Sequence, residues 1–193
     1  MNQKTFVHKR SWWNCDRWVR WVRSKHGKVF WFFFSKKNAL PLLASPPMSG
    51  TVFLHFFGQP RRIDGGSFDR FQRPAIGVCL EMNSSRVAQA DVQIPIADFQ
   101  APTQTQLRNG LLAILKLMRT RPSDAIYIGC RAGLGRTGTL IAALAKLALV
   151  DDPVAWTRLM YHPHAVETAA QEAAVAVLDV DAVWTALDGD ERQ

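Results

Sequence analysis

Gly129-Cys130-Arg131-Ala132-Gly133-Leu134-Gly135-Arg136-Thr137-Gly138 lies between a short apolar run, residues 125–128, and a long one, residues 139–150. Four of the chain's twelve glycines fall within these ten residues, a density that asks for backbone conformations or close approaches that other residues resist. A glycine-rich turn running from a strand into a helix N-terminus aims several N–H groups at one point, and such a point holds phosphate. Cys130 stands at the mouth of that turn. A thiol beside a helix N-terminus and an arginine ionises below the ordinary value of about 8.5, and the thiolate is the nucleophile. Arg136 follows six positions later, with a planar fork suited to two oxygens of a phosphoryl group. Thr137 is next, its hydroxyl placed to donate to sulfur as a leaving group. Arg131, Ala132, Gly133, Leu134, Gly135 and Arg136 form the expected phosphate cradle. A Walker-type nucleotide loop is excluded, because the lysine it requires is absent. A purely structural turn around a buried cysteine is the plainer alternative, but it leaves Arg136 as an unpaired charge beside the core.

Cleavage of a phosphomonoester also needs an acid, on the side of phosphorus away from the nucleophile, to protonate the departing oxygen. The stretch Gln93-Ile94-Pro95-Ile96-Ala97-Asp98-Phe99-Gln100 offers Asp98, 32 residues before Cys130, with Asp91 as the second candidate. A lone Asp in a proline-containing loop is ordinarily a turn residue; the pairing with the cysteine loop is what singles Asp98 out.

The pattern Cys-x5-Arg-Thr-Gly resembles that of the cysteine-dependent protein tyrosine and dual-specificity phosphatases, and residues 130–141 are most similar to the mitotic-exit and atypical dual-specificity members. Pro95 to Phe99 resembles the general-acid loop of that family. His162-Pro163-His164-Ala165-Val166-Glu167-Thr168-Ala169-Ala170-Gln171 is similar to the family segment Arg-Pro-Gly-x-Val-Glu-Thr-x-x-Gln, and the resemblance implies that Gln171 helps place the hydrolytic water. The likeness covers residues 51–187 and departs from the pattern in two places. Gly129 stands where the family has a histidine that orders the loop, and His162 and His164 replace the usual Arg and Gly.

What the resemblance implies is an α/β fold, a central mixed sheet of four to five strands flanked on both faces by helices, with the cysteine loop at the C-terminal end of a central strand. It further implies hydrolysis through a phosphocysteine intermediate without metal or other cofactor, backbone dipoles and Arg136 supplying the positive field. The implied partner is a phosphorylated protein, carrying phosphotyrosine or phosphoserine/threonine. Two alternatives stand beside it: a catalytically weak phosphate-binding module, and a phosphatase directed to nucleic-acid or nucleotide 5′-phosphates.

The second alternative comes from the charge distribution. Residues 1–50 hold ten Lys or Arg against Asp16 alone, while the net charge of the whole chain is +8, so the basic character belongs to the N-terminal segment. Five of seven tryptophans, Trp12, Trp13, Trp18, Trp21 and Trp31, are interleaved with those charges. Such mixing suits nucleic acid or an anionic surface through residues 1–35. Helical spacing of Trp13, Arg17 and Trp21 and of Trp18 and Val22 suits a face packed on the protein instead. The expected division is an N-terminal extension, 1–45, a phosphatase-like domain, 46–188, and a mobile acidic tail, 189–193.

Cys15, Cys79 and Cys130 have neither metal-ligand nor disulfide spacing, which with a nucleophilic thiol favours a reducing, cytoplasmic setting. No apolar run approaches the roughly 18 residues of a membrane span. Along the chain we expect an irregular connection over 36–50, strands over 51–57 and 75–81, and a loop over 59–74 between them. His55 and Cys79 are then core residues. Helices follow over 103–119, capped by Thr103, over 139–150, buried all round, from Pro153 to 161, and over 171–187.

Overall fold

The computed structural model describes residues 50–190 and the backbone of Arg17–Trp18 and Phe34–Ser35. The chain divides into two units, Met1–Ala44 and Ser45–Gln193. In the first, β1 (Arg17–Trp18) pairs antiparallel with β2 (Phe34–Ser35). The backbone at 17–18 is therefore extended where helical spacing had suggested a turn of helix, as aromatic side chains favour. The remaining residues of the basic segment, with the roles expected for them, and the connection over 36–49 lie outside the described residues.

The second unit carries a five-stranded mixed sheet in the order β3-β4-β7-β5-β6, formed by β3 (Thr51–Phe56), β4 (Gln59–Ser67), β5 (Ile76–Cys79), β6 (Val92–Gln93) and β7 (Ile126–Cys130). This is the α/β class expected from the sequence. β3 and β4 make a hairpin through Phe57 and Gly58, both at positive φ, the geometry that matches strand twist in two-residue turns. All other pairings are parallel, so β4, β5, β6 and β7 end on the same side, and Cys130 is the last residue of β7.

β4 corrects the expected loop over 59–74. Pro60, Arg61, Arg62, Gly65 and Gly66 are turn signals, but pairing with β3 on one side and β7 on the other overrides them. Ile63 is fully buried, and Arg61 is buried with its guanidinium donating to the carbonyls of Arg121, Pro122 and Asp124. His55 is likewise corrected from core to surface. In a strand the side chains alternate, and Val52, Leu54 and Phe56 take the inward positions.

Strand alternation sorts the two faces of the sheet. Ile76, Val78, Ile126 and Ile128 join the buried residues of α1 (Gln104–Thr120), α2 (Gly135–Leu147), α4 (Ala169–Ala176) and α5 (Val180–Asp190) in one core. On the other face Cys79 and Tyr127 pack with Phe68 and Phe71, whose rings stack 5.1 Å apart. Among the described residues the helical layer thus covers one face, where helices on both had been expected. Short 3-10 turns, Phe68–Arg70 and Val87–Gln89, serve the second.

Thr103 caps α1 in a reciprocal box with Gln106, and Leu107, Leu111, Ile114, Leu115 and Met118 form its buried stripe. Every residue of α2 except Lys146 is buried, as expected for a central helix, and α2 begins at Gly135, directly from the cysteine loop. α3 (Pro153–Met160) starts on Asp152 as cap with Pro153 in the first turn, where proline costs no hydrogen bond. The single final helix expected over 171–187 is two. The chain breaks after Ala176, and Asp179 accepts from the Ala182 N–H to cap α5. α5 runs on to Asp190, so Gly189 and Asp190 of the expected tail are helical, Asp190 pairing with Lys116 at 2.6 Å; residues 191–193 lie outside the described ones. Among the described residues no helix is long and apolar enough to cross a membrane.

Candidate active site

β7 delivers Cys130 to the C-terminal edge of the sheet, and the chain turns at once into α2. Gly133, at φ 81°, makes that turn. Its N–H donates to Cys130 Sγ at 3.2 Å, and the Thr137 hydroxyl donates to the same sulfur at 3.2 Å from the first turn of α2. Both donors reach the sulfur beside the N-terminus of α2, the positive end of that helix. Arg131 and Ala132 are exposed at the rim, while Gly133 and Gly135 are buried beneath it and Leu134 is half-buried.

Arg136 is buried, with partners for two of its guanidinium nitrogens. One guanidinium nitrogen donates to the Ile96 carbonyl at 2.9 Å and the other to Asp98 Oδ1 at 2.8 Å. The segment after β6 is thereby drawn over the cysteine loop, and Asp98 and Cys130 come to one place through Arg136. Asp98 remains 53% exposed while Arg136 beside it is 6% exposed, so the carboxylate faces outward from a buried anchor. Phe99, at φ 57°, is exposed immediately after it. Asp91 lies elsewhere. It precedes β6 at the opposite, N-terminal edge of the parallel strands, where it accepts from the Gly77 N–H at 2.8 Å. Strand direction removes it from the site.

Gln171 is fully buried, with both ends of its amide occupied. Its Oε1 accepts from the N–H groups of Glu167 (2.8 Å) and Thr168, and its Nε2 donates to the Gln100 carbonyl at 3.2 Å. The Thr168 side chain in turn accepts from Gln171 N, completing a capping box. Gln171 thus ties the start of α4 to the segment that carries Asp98. The S/T-x-x-Q pattern signals that box in the sequence. His162 and His164 form their own surface corner, His164 N–H donating to His162 Nδ1 at 3.1 Å.

Gly129 has a steric cause. A Cβ there would fall 2.7 Å from Phe68 Cα and 2.8 Å from Phe68 N, backbone atoms held in the 3-10 turn that covers this face. No side chain fits, histidine least of all. Two further contributors to the site left no local signal in the sequence. Tyr161, just past α3, donates its hydroxyl to the Gly133 carbonyl, and the Gly65-Gly66 pair at the end of β4 receives the loop from below. Both meet the loop only through the tertiary fold.

A thiol thus stands at the end of a central parallel strand, met by one loop amide, a threonine hydroxyl and a helix N-terminus, with an arginine–carboxylate pair beside the same loop. Residues 77–147, from β5 through α2, match the family described as Tc-R-P, polymorphic toxin system, DSP-PTPase phosphatase, so this stretch is similar to the dual-specificity phosphatases. Two uncharacterized proteins of Methanocaldococcus jannaschii are 33% and 32% identical to the chain over 81 and 79 residues, 41% of this chain in each case. The matched stretch spans 52% and 48% of those relatives, about half their length. Among solved structures, the active form of Tk-PTP is similar at 25% identity, TM-score 0.49, over 65% of this chain and 95% of that one. The core catalytic domain of the PP-IP phosphatase SIW14 from S. cerevisiae is similar at 16% identity, TM-score 0.49, over 72% and 92%.

Proposed function

We propose that the chain hydrolyses phosphomonoesters through a phosphocysteine intermediate. The observation that carries this reading is the convergence on one loop of Cys130 Sγ, its two donors at 3.2 Å, and Arg136 held 2.8 Å from Asp98. The phosphoryl group enters above Cys130 and takes the fork of Arg136, to which Asp98 is now bonded. Asp98 is thereby released toward the leaving oxygen. Cys130 Sγ then attacks phosphorus as the P–O bond to the leaving group breaks, and Asp98, which takes up a proton from solvent when Arg136 releases it, gives that proton to the leaving oxygen. In the second half Asp98, now a carboxylate, takes a proton from water. The water oxygen bonds phosphorus, the S–P bond breaks, and the Thr137 hydroxyl stabilises the departing thiolate at the position it already occupies. Gln171 acts by holding the Asp98 segment at Gln100.

The exposed ring of Phe99 beside Asp98 gives an aryl leaving group an apolar neighbour, which favours phosphotyrosine among protein substrates. The matched family is described as a phosphatase of polymorphic toxin systems, and we extend to this chain the reading that its activity is deployed as a toxin. Hydrolysis of an aryl phosphate by the full chain, abolished in Cys130→Ser, tests the chemistry. Growth arrest on expression of the wild type but not of Cys130→Ser tests the deployment. A folded wild type that binds phosphate yet turns nothing over would instead establish the binding-module alternative.

A further inference from the structure

Tyr161 takes no part in the chemistry above, yet it is buried against the loop that performs it. Its ring lies on Gly65 of β4 so closely that a Cβ there would fall 2.5 Å from its hydroxyl oxygen and 2.6–2.7 Å from the ring. From that seat the hydroxyl donates to the Gly133 carbonyl. Burial, with Cys130 and Tyr127 adding to it, pushes the phenol well above its ordinary range, so the hydroxyl keeps its proton at neutral pH. Gly133 is itself seated on Gly66, where a Cβ would meet Gly66 Cα at 2.5 Å.

The geometry of one peptide unit supplies the consequence. In a trans peptide the C=O and the following N–H point in opposite directions. Bonding the Gly133 carbonyl to Tyr161 therefore sends the Leu134 N–H away from Tyr161, while the Gly133 N–H, on the preceding peptide, is already committed to Cys130 Sγ. The loop needs such an external hold, because the Phe68 backbone leaves no room at Gly129 for a side chain that would order it from within.

We propose that Tyr161 is a positioning residue of the phosphate loop, orienting the Gly133-Leu134 peptide so that the Leu134 N–H meets an equatorial phosphoryl oxygen. This rests on the phosphatase reading. Its test uses the full chain with Tyr161→Phe, which removes only the hydroxyl. The inhibition constants of inorganic phosphate and orthovanadate, measured in competition with an aryl phosphate, are expected to rise about tenfold, the scale of one hydrogen bond to a charged oxygen. An irreversibly misfolded fraction leaves the competition constants unmoved, and a thermal melt followed by circular dichroism confirms that the variant is folded at the assay temperature, because a reversibly unfolded fraction would weaken apparent binding. Constants equal to wild type overturn the proposal while the phosphatase reading stands. A wild type that neither hydrolyses the ester nor binds phosphate removes both. If Tyr161→Phe does not fold, phosphate titration of ¹⁵N-labelled wild type decides: a Leu134 amide resonance that moves with saturation supports the proposal, and one that stays put while those of Arg131 to Gly133 move overturns it.

Discussion

Asp98 and Asp91 each meet arginine, at opposite ends of the same parallel strands, and they meet it differently. Asp91 is 16% exposed and has three donors: the Gly77 N–H donates to one oxygen at 2.8 Å, and Arg121 and Arg73 reach the other at 3.0 and 3.4 Å. Its own N–H returns a bond to the Gly77 carbonyl. Asp98 has one guanidinium nitrogen and the neighbouring Phe99 N–H, and more than half of it faces solvent. A carboxylate engaged at both oxygens by a backbone N–H and two arginines holds the fold, and removing it leaves charged partners uncompensated. A carboxylate held at one point by a buried arginine can exchange that arginine for a phosphate. The comparison teaches that residue type and loop context do not separate the two; the number and burial of their donors do.

The sharpest way to break the comparison is at the sulfur. Cys130→Ser should lower kcat/KM for an aryl phosphate by roughly 10⁴-fold or more, as loss of a nucleophile does, with phosphate binding retained. Measurable turnover by that variant sinks the cysteine mechanism. Next in size, Asp98→Asn should cost about 10²–10⁴-fold, the scale of general acid–base catalysis. For an ester whose leaving group needs no proton the loss should shrink, and equal losses on both esters would place the acid elsewhere. Thr137→Ala should slow dephosphorylation about tenfold, one donor to the leaving sulfur being lost. Rapid-quench trapping then shows phosphoenzyme accumulating, and no accumulation argues against a role for the hydroxyl in the second step.

The smallest effect on chemistry and the largest on stability belong to Asp91. Burial raises its pKa, but the Gly77 N–H and the guanidinium groups of Arg73 and Arg121 outweigh it, and the net position is below the ordinary carboxylate range. A folded-state pKa below the unfolded one means that the stabilisation is complete above about pH 4, the unfolded value, and is lost as pH falls through the lower folded value. Asp91→Asn should therefore destabilise the protein by roughly 1–3 kcal/mol at neutral pH and flatten the acid limb of the stability curve, while activity per folded molecule is unchanged. Denaturant titrations at a series of pH values check both, and an unaltered acid limb would falsify the assignment of Asp91 as a clamp.

Legibility followed sequence distance. Residues 129–138 could be read because strand end, turn and helix start are consecutive, and one continuous stretch carries Cys130, Arg136 and Thr137. The α1 cap was readable for the same reason, as Thr103 and Gln106 satisfy each other within one turn. β4 was not, because its Gly65 and Gly66 signal a turn locally and are explained only by what lies on them, Tyr161 and the loop at Gly133. The break between α4 and α5 was missed because the apolar pattern continues across Val177 and Leu178 while Asp179 starts a new cap.

By itself the sequence determined the α/β class, the buried helix α2 and a glycine-rich turn from strand to helix with a thiol at its mouth, since each follows from residues within a few turns of one another. The tertiary structure alone decided which aspartate meets Arg136, that Gly129 must lack a side chain, that Gln171 ties α4 to the Asp98 segment, and that Tyr161 holds the loop. Those contacts join residues 28 to 71 positions apart, and no local pattern encodes them. They exist because parallel strands carry distant segments to the same edge of the sheet, where close packing leaves each group one set of partners.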